Sequence, residues 1–376
     1  MDFQYYLPVN LIFGRGKISK LGTETAQYGK KALLVTGMSS TKKTGLLAKA
    51  ETILKEAGVS SVVFDRVEPN PLTTTVHTGA KLAREECCDV VVGLGGGSIM
   101  DAAKAIAFMA VNSGDVSDYV FGRKTSTEAL PLILVPTTCG TGSEGNEFAV
   151  LSNPENHDKK SLRTMPIVAK TSLIDPELMM TMPKGVLASV GFDALCHNME
   201  AFLSASGQPI SNVLAQEGIR LMAEYLPKVY GGSSDPSDWE KVTMGSTIGG
   251  MVISIASVTA PHGMEHPASG LRNIVHGRGL AALTPVIFEE SISSAPEKFS
   301  VISKLLGGKD EKDCADQVRK FLTKIDLTQS LGDQGVLESD IDWMAQNCLK
   351  VSVGSMGNHP IVFGQEDIRR IYKKAL

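Results

Sequence analysis

The first half of the chain alternates short apolar runs, rich in β-branched residues, with stretches of helical period. Four runs predict buried strands, at residues 31–36 (KALLVT), 59–67 (VSSVVFDRV), 89–94 (DVVVGL) and 130–136 (LPLILVP). Stretches between them predict helices at residues 48–58, 75–88 and 98–111. Such alternation is typical of parallel strands joined by right-handed crossover helices, with ligands bound beyond the carboxyl ends of the strands.

From about Pro183 onward, apolar residues recur only with helical spacing. The segments that show it are residues 187–205, 210–230, 239–258, 296–307 and 314–325. Since 376 residues are long for a single core, we predict two domains. The fold class is then α/β plus all-α, with a Rossmann-like parallel-sheet nucleotide-binding domain at residues 1–182 and an all-helical metal-binding domain at residues 183–376. Residues 231–238 (GGSSDPSD) are predicted to form a surface loop.

Composition narrows the class of protein. The chain has 43% hydrophobic and 21% charged residues, as an ordinary globular protein does, and a net charge of -4 argues against a nucleic-acid or anionic-membrane partner. No apolar run approaches the roughly 18 residues that span a bilayer, and the N-terminus lacks the pattern of a signal peptide. Six scattered cysteines without a CxxC pair indicate reduced thiols, so we expect a cytoplasmic location.

A run of glycines follows the third predicted strand and opens the next helix. In VVVGLGGGSIMDAAK (90–104) these residues are Gly95, Gly96 and Gly97, followed by Ser98. Glycines let the backbone approach a pyrophosphate closely, and a helix N-terminus offers free N–H groups. The spacing differs from GxGxxG, because Ser98 stands where a third glycine would fall. The alternative is a tight strand–helix turn without a ligand.

A second polar motif, LVPTTCGTGSE (134–144), follows the fourth predicted strand. Thr137 and Thr138 open it, and glycines and further hydroxyl residues complete it. At the carboxyl end of a strand these groups can bind ribose or phosphate oxygens. A simple Gly/Thr turn is the alternative.

Histidines concentrate in the C-terminal half, in metal-ligand spacing. Asp193 and His197 stand four residues apart, as do His262 and His266, and His276 follows. Residues four apart share one face of a helix, so Asp193, His197, His262 and His276 can surround one centre. Three imidazoles and a carboxylate suit Fe²⁺ or Zn²⁺. His266 could be a fifth ligand, a proton relay or a structural donor, and histidines buried without a metal are the alternative for the whole set.

The sequence resembles the iron-containing (group III) alcohol dehydrogenases over nearly its whole length. The segments that carry the resemblance are NLIFGRGKISKLG (10–22), EPNP (68–71), GLGGGSIMDAAK (93–104), PTTCGTGSE (136–144), LIDPELM (173–179), GFDALCHNMEAFLS (191–204) and the C-terminal NHPIVFGQEDIRRIYKKAL (358–376). The resemblance implies the two-domain fold predicted above. It departs where the family commonly has Val-Thr after GSE, since this chain has Gly145-Asn146, and at Val275, where Pro is common.

The resemblance also implies roles for single residues. The family's metal ligands fall on the same aspartate and three histidines, and its proton relay falls on His266. Coenzyme contacts would come from Gly95, Gly96, Gly97 and Ser98, from Thr137 and Thr138, from Lys160 near the ribose, and from Asn70 in the EPNP segment. We expect Phe148, Ile253 and Val258 to face the substrate, and their apolar character favours a short aliphatic one.

The choice of coenzyme depends on the end of the first predicted strand. Gly37 stands there where many members of the family carry Asp, whose carboxylate would bind the adenosine 2′-OH and repel a 2′-phosphate. Hydroxyl groups and two positive charges follow, in Ser39, Ser40, Thr41, Lys42 and Lys43. We therefore expect NADP in preference to NAD, the alternative being a polar loop that caps the next helix.

The hypothesis is a metal-dependent alcohol dehydrogenase or aldehyde reductase that moves a hydride between NAD(P)(H) and a short aliphatic alcohol or aldehyde, with Fe²⁺ favoured over Zn²⁺ and a homodimer expected. A glycerol or 1,3-propanediol dehydrogenase would share this frame. A lyase of the dehydroquinate synthase type would need a strongly basic pocket, yet residues 246–282 carry only Arg272 and Arg278. A nucleotide-binding regulator with a structural metal is the alternative from a different class.

Overall fold

A twisted parallel sheet organises the N-terminal half of the protein. The computed structural model describes residues 3–376. Six strands form the sheet in the order β1-β8-β5-β4-β2-β3, every neighbouring pair being parallel. They are β1 (Asn10–Phe13), β2 (Lys31–Gly37), β3 (Ser60–Val67), β4 (Val90–Gly95), β5 (Leu132–Pro136) and β8 (Thr171–Ile174).

The central strands are buried on both faces, which explains their continuous apolar sequences. The chain runs outward from β2 to β3 and then returns to the other side of β2 to form β4. A crevice therefore opens beyond the carboxyl ends of β2 and β4, where the strand order reverses and α/β proteins bind nucleotides. Gly37 ends β2, Gly95 ends β4, and Gly95 pairs in register with Pro136 of β5.

Helices cover both faces of this sheet. They are α1 (Leu21–Ala26), α2 (Ser40–Lys43), α3 (Leu46–Glu56), α4 (Thr73–Glu85), α5 (Gly97–Met109), α6 (Val116–Val120) and α7 (Pro176–Met179). The four predicted strands and three predicted helices are confirmed, with their ends shifted by at most three residues. Prediction from the sequence did not include the edge strand β1, the strand β8, or the antiparallel hairpin of β6 (Phe148–Ser152) and β7 (Lys159–Arg163).

Residues beyond Pro183 form helices and their connections. They are α8 (Lys184–Leu203), α9 (Pro209–Tyr230), α10 (Pro236–Ala256), α11 (Ala260–Arg272), α12 (His276–Ser291), α13 (Pro296–Leu305), α14 (Cys314–Lys324), α15 (Ile341–Val351), α16 (Val353–Gly357) and α17 (Gln365–Ala375). This agrees with the predicted all-helical half, while the division at residue 182 itself stays a prediction. The loop predicted at residues 231–238 is shorter: Asp235 accepts a hydrogen bond from Ser237 N (2.8 Å), which caps α10, and Pro236 is its first residue.

The two halves meet through backbone contacts at glycines. Gly142, in the loop after β5, has a left-handed conformation (φ 58°) and lies against Gly250 of α10. A Cβ atom on Gly250 would stand 1.9 Å from the carbonyl oxygen of Gly142, and one on Gly142 would stand 2.4 Å from Gly250 Cα. The same loop contacts α8, because a Cβ on Gly140 would lie 2.6 Å from Val190 Cβ. The loop after β5 therefore packs directly against the helices that carry the predicted metal ligands or adjoin them.

Across residues 3–376, no single helix has the length and apolar composition to cross a membrane. Helices α10 and α11 pass that test only as a pair, which is bent by 102°. The six cysteines all lie within the described residues and are free thiols.

Candidate active site

Four side chains converge where α8, α11 and α12 meet. Asp193 and His197 lie on one face of α8, His262 belongs to the first turn of α11, and His276 is the first residue of α12. The Nε2 atoms of His197, His262 and His276 lie 3.6, 3.3 and 3.6 Å from Asp193 Oδ1. Ligands of a tetrahedral ion with bonds of about 2.0–2.1 Å stand about 3.3–3.4 Å apart. The three distances to Asp193 Oδ1 are close to this spacing.

Unpaired polar atoms support the same fit. Asp193, His197 and His262 are buried. Within the described part of the chain, Asp193 Oδ1 and His262 Nε2 find no hydrogen-bond partner. A buried polar atom without a partner is destabilising by about 1–3 kcal/mol, and a cation between the two atoms would satisfy both. Asp193, His262 and His276 also form a group whose ligand atoms lie within 4.8 Å of one another. His197 is outside that group, but it lies near Asp193 and its ring stacks on the His262 ring, with 4.6 Å between the ring centres.

Two buried carboxylates lie behind the histidine rings. His262 Nδ1 lies 2.6 Å from Glu200 Oε1, and the other oxygen of Glu200 accepts a hydrogen bond from Thr259 N (2.7 Å). His276 Nδ1 contacts Glu265. A carboxylate that accepts the Nδ1 proton leaves the Nε2 lone pair directed at the cluster, as in many metal sites. Sequence reasoning missed Glu200 and Glu265, although an acid within an otherwise apolar, buried helical segment was the available signal.

The electrostatics of the cluster favour a positive charge. Burial lowers the pKa of His197 to about 4, so this ring is neutral at physiological pH. Burial alone would also lower the pKa of His262, but Glu200 and Asp193 outweigh it and raise the pKa to about 10. For Asp193, burial is outweighed by the three histidines, which hold the pKa of the carboxyl well below its usual range. The cluster therefore holds an added positive charge strongly, whether a proton or a metal ion.

His266 lies one helical turn after His262 and borders the same space. Its ring centroid is 6.2 Å from that of His262 and 5.8 Å from that of His276. Burial, with Lys159 nearby, lowers the pKa of His266 well below its usual value, so the ring is neutral at physiological pH. His266 also forms a second group of close ligand atoms with Glu265 and His276.

The glycine motif forms a close contact between the loops after β4 and β5. A Cβ atom on Gly96 would lie 2.9 Å from Thr138 Oγ1, and one on Gly97 would lie 2.2 Å from Thr141 Cγ2. Packing between the loops is therefore one reason for these glycines. The first turn of α5 leaves the N–H groups of Gly97 and Ser98 free of intrahelical partners. These N–H groups and the Thr138 hydroxyl meet at the crevice, as a phosphate-binding site requires.

A buried lysine supports the loop from below. Lys104 Nζ donates hydrogen bonds to Ser143 Oγ (2.8 Å), Asn146 Oδ1 (2.9 Å) and the Phe148 carbonyl (2.8 Å). Asn146 Nδ2 in turn donates to the Gly142 carbonyl (3.2 Å). Asn146, which belongs to the Gly145-Asn146 departure from the family pattern, therefore ties the loop to Lys104.

At the end of β2, Gly37 has room for a side chain, since a Cβ atom there would stand 3.4 Å or more from its neighbours. Ser39 and Ser40 are exposed. Two of the predicted phosphate donors are engaged elsewhere: the Thr41 hydroxyl lies 2.8 Å from Thr36 Oγ1, and Lys42 forms an ion pair with Asp65 of β3.

The two remaining coenzyme candidates contact the helical half. Asn70 has a left-handed backbone (φ 53°), donates to Asn273 Oδ1 (2.8 Å) and accepts from Lys159 Nζ (3.1 Å). Lys160 Nζ donates to the Val351 carbonyl (2.7 Å). Its neighbour Lys159, which sequence reasoning did not single out, is the buried lysine beside the histidine cluster.

The predicted substrate-facing residues all belong to or adjoin one apolar core cluster. Phe148 and Val258 are partly buried and pack against the apolar core cluster that contains Ile253. The Arg163 guanidinium lies 4.8 Å from the centre of the Phe148 ring. A cation therefore borders the Phe148 ring on β6.

Comparison with known proteins gives the same family along the whole chain. Residues 8–176 match the family described as iron-containing alcohol dehydrogenase, and residues 187–376 match the C-terminal part of the Fe-containing alcohol dehydrogenase family. The chain is 35% identical to the 1,3-propanediol dehydrogenase of Klebsiella pneumoniae, covering 99% of this chain and 98% of that protein. It is 30% identical to the NAD-dependent methanol dehydrogenase of Bacillus methanolicus, with 99% of each covered. The crystal structure of an archaeal halo-thermophilic alcohol dehydrogenase from a Red Sea brine pool superposes with a TM-score of 0.96 at 34% identity, covering 100% of this chain and 99% of that one.

Proposed function

This chain belongs to the iron-containing alcohol dehydrogenase family, and we propose that it transfers a hydride between NAD(P)(H) and a short aliphatic alcohol or aldehyde. It is an oxidoreductase acting on CH–OH that uses a metal and a nicotinamide coenzyme. The observation that carries the finer proposal is the convergence of three histidine Nε2 atoms on one buried carboxylate oxygen, with a neutral fourth histidine beside them.

Asp193, His197, His262 and His276 would hold the ion. When bound, a divalent ion supplies Lewis acidity toward the substrate oxygen, and the nicotinamide supplies the hydride donor or acceptor. The ligand set favours no single ion, since imidazole and carboxylate suit iron and zinc alike. We propose Fe²⁺ because of the family, with Zn²⁺ as the alternative.

His266 is the proposed proton relay. Its neutral ring accepts the proton that the alcohol hydroxyl releases, and in the reverse direction returns it to the carbonyl oxygen. Its partly exposed side chain offers that proton a route to solvent. The low pKa of His266, caused by burial and by Lys159, keeps the ring unprotonated across the physiological range.

The coenzyme would lie along the crevice between the halves. Gly95, Gly96, Gly97 and Ser98 would face the pyrophosphate, with Thr137 and Thr138 beside it. Asn70 and Lys160 remain proposed contacts nearer the ribose, although Lys160 is bonded to a carbonyl of the helical half in this structure.

We further propose a preference for NADP(H). The space at Gly37 and the exposed hydroxyl groups of Ser39 and Ser40 support it, with Lys43 close by in the sequence. The ion pair of Lys42 with Asp65 opposes it, because an acid then borders the same space and one lysine is engaged. Steady-state kinetics with both coenzymes test this proposal, and a preference for NAD(H) would reject it.

The proposed substrate is small and largely apolar, on the evidence of Phe148, Ile253 and Val258. A second candidate substrate is 1,3-propanediol, since the 1,3-propanediol dehydrogenases of two bacteria are 35% and 34% identical to this chain. The lyase alternative is less consistent with the structure: Arg272 forms two hydrogen bonds with Asp340 (2.7 and 2.6 Å) and is not free for an anionic substrate, which leaves Arg278 as the remaining arginine of residues 246–282.

A turnover assay separates these proposals from a nucleotide-binding regulator. The protein is stripped with a chelator, reconstituted with Fe²⁺ under anaerobic conditions or with Zn²⁺, and supplied with short alcohols, diols and aldehydes with each coenzyme. A metal-dependent change in nicotinamide absorbance is expected with one or more of these substrates. Binding of both metal and coenzyme without turnover of any substrate would favour the regulator.

Three expectations of organisation stay proposals. They are the homodimer, the cytoplasmic location and the division between domains at residue 182. Light scattering after size-exclusion chromatography tests the first, fractionation of cells the second, and limited proteolysis around Met182 the third.

A further inference from the structure

Glu265 of α11 is completely buried beside the histidine cluster. One of its oxygens accepts from Ser269 Oγ, and the other contacts His276 Nδ1. Space for this carboxylate depends on a glycine, because a Cβ atom on Gly279 would stand 2.9 Å from Glu265 Cγ. Gly279 therefore leaves the space that Glu265 fills. The proposed function gives Glu265 no role.

A cation already faces this carboxylate. The ligand atoms of Glu265, His266 and His276 are close enough together to hold a second metal ion. However, Lys159 Nζ lies 3.6 Å from Glu265 Oε2, and its side chain is only 4% exposed. A second metal ion there would be repelled by the ammonium group. The ammonium group of Lys159 thus supplies the positive charge that a second metal ion would bring, and it balances the negative charge of the buried Glu265 carboxylate.

Lys159 comes from the other half of the protein. It lies on β7 and donates to Asn70 Oδ1 (3.1 Å), while Asn70 also binds Asn273 at the end of α11 (2.8 Å). Both asparagines have left-handed backbones, with φ 53° and 50°. These bonds hold the ammonium group against α11 across the crevice.

We propose that Glu265 is a positioning residue for His276, and that Lys159 holds Glu265 in place from across the crevice. Its carboxylate accepts a hydrogen bond from His276 Nδ1 and fixes the plane of the ring. The Nε2 lone pair of His276 then points toward the centre that His276 shares with Asp193. Glu200 of α8 lies against His262 Nδ1 in the same way. This inference rests on the proposed function, because its consequence is the affinity of the four-ligand site for its ion.

Metal affinity measured without turnover provides the test. Competition with a chromogenic chelator gives the dissociation constant of Zn²⁺ for the unmodified protein, Glu265→Gln and the double variant Glu265→Gln/Lys159→Met. Loss of such an outer carboxylate commonly weakens metal binding by about 10–100-fold, and we expect that range for Glu265→Gln. The single variant also leaves a buried lysine without its counterion, so its thermal midpoint should fall.

The double variant separates orientation from stability. Removing both charges should recover much of the thermal midpoint while metal binding stays at least tenfold weakened. Asp340→Asn is the matched control. Asp340 is the ionic partner of Arg272, which lies on α11 as Glu265 does, and it contacts none of the four ligands. It should lower the midpoint and leave the dissociation constant unchanged.

Three results would overturn the inference: equal metal affinity in Glu265→Gln, recovery of affinity together with stability in the double variant, or an equal loss of affinity in Asp340→Asn. If Glu265→Gln does not fold, the double variant and the control still decide between these outcomes. Should the unmodified protein bind Zn²⁺ no better than His262→Ala does, the proposed function itself fails, which is a distinguishable result.

Discussion

Replacement of Lys104 by methionine provides a test of the buried network under the loop after β5. The lysine is inaccessible to solvent and donates three hydrogen bonds, to Ser143, Asn146 and the Phe148 carbonyl. Asp101 lies beside it and accepts from Ser143 Oγ (2.6 Å) and Val150 N (3.0 Å). Methionine keeps the volume of the side chain but removes the ammonium group, leaving the acceptors and the carboxylate without their cation.

The magnitude has a part that does not depend on pH and a part that does. Breaking a buried charge network by removing one member destabilises a protein by about 3–5 kcal/mol, and we expect the lower end because most acceptors keep another partner. Burial lowers the pKa of Lys104 from 10.5 to about 8. Between those pH values the unfolded chain binds the proton that the folded protein has released, so stability of the unmodified protein rises with pH, by at most about 3 kcal/mol. The variant lacks this gain, and the stability difference should therefore widen from pH 8 upward.

Urea unfolding followed by circular dichroism measures the difference, with a chelator present so that metal binding does not contribute. The exposed Lys320→Met of α14 is the control, because it changes the net charge equally and should show a difference near zero at every pH. A difference between the unmodified protein and Lys104→Met that stays constant or shrinks between pH 8 and pH 10 would refute the assigned cause of the pKa shift.

The remaining predictions concern the site. Asp193→Ala and His262→Ala should each lose most bound metal in elemental analysis, since each removes one of the four proposed ligands, and full occupancy in both would contradict the ligand set. His266→Asn should keep its metal and lose about 10²–10⁴-fold in turnover, whereas loss of metal would make His266 a ligand. Gly37→Asp should shift the ratio of kcat/KM toward NAD(H) by at least about tenfold, because charge-assisted phosphate contacts contribute about 1.5–3 kcal/mol each; an unchanged ratio would show that this loop binds no phosphate. Asp65→Asn should shift the ratio the other way by releasing Lys42.

Much of the fold followed from local sequence patterns because the central strands are buried on both faces. Continuous apolar runs such as residues 90–95 have no other favourable location in a protein of this size. The hairpin of β6 and β7 escaped prediction because the β7 sequence, KKSLR, is polar: Lys159 is buried only through Asn70 and Glu265, which lie far from it in the sequence. Tertiary partners of this kind leave no periodic signal.

Where the predicted site is helical, residue spacing alone could indicate which side chains lie together. A spacing of four residues brings Asp193 and His197 to one face of α8, and in the structure His262 and His276, which were predicted together with them, also lie close to Asp193. Spacing could not reveal that Glu200 and Glu265 lie behind the rings, because each acid approaches its histidine from another helix. Nor could it show that Lys42 is paired with Asp65, since β2 and β3 become neighbours only in the folded sheet.

The contact between Gly142 and Gly250 limits how this enzyme can be recombined with its relatives. A side chain on either glycine would meet the backbone of the other, and a backbone cannot rotate aside as a side chain can. A chimera that joins the sheet half of this chain to the helical half of a relative therefore needs glycine at both positions, whatever the surrounding side chains are. Shuffled libraries that cross over near residue 182 should lose every recombinant in which one parent supplies a larger residue, so the two halves are inherited as a matched pair.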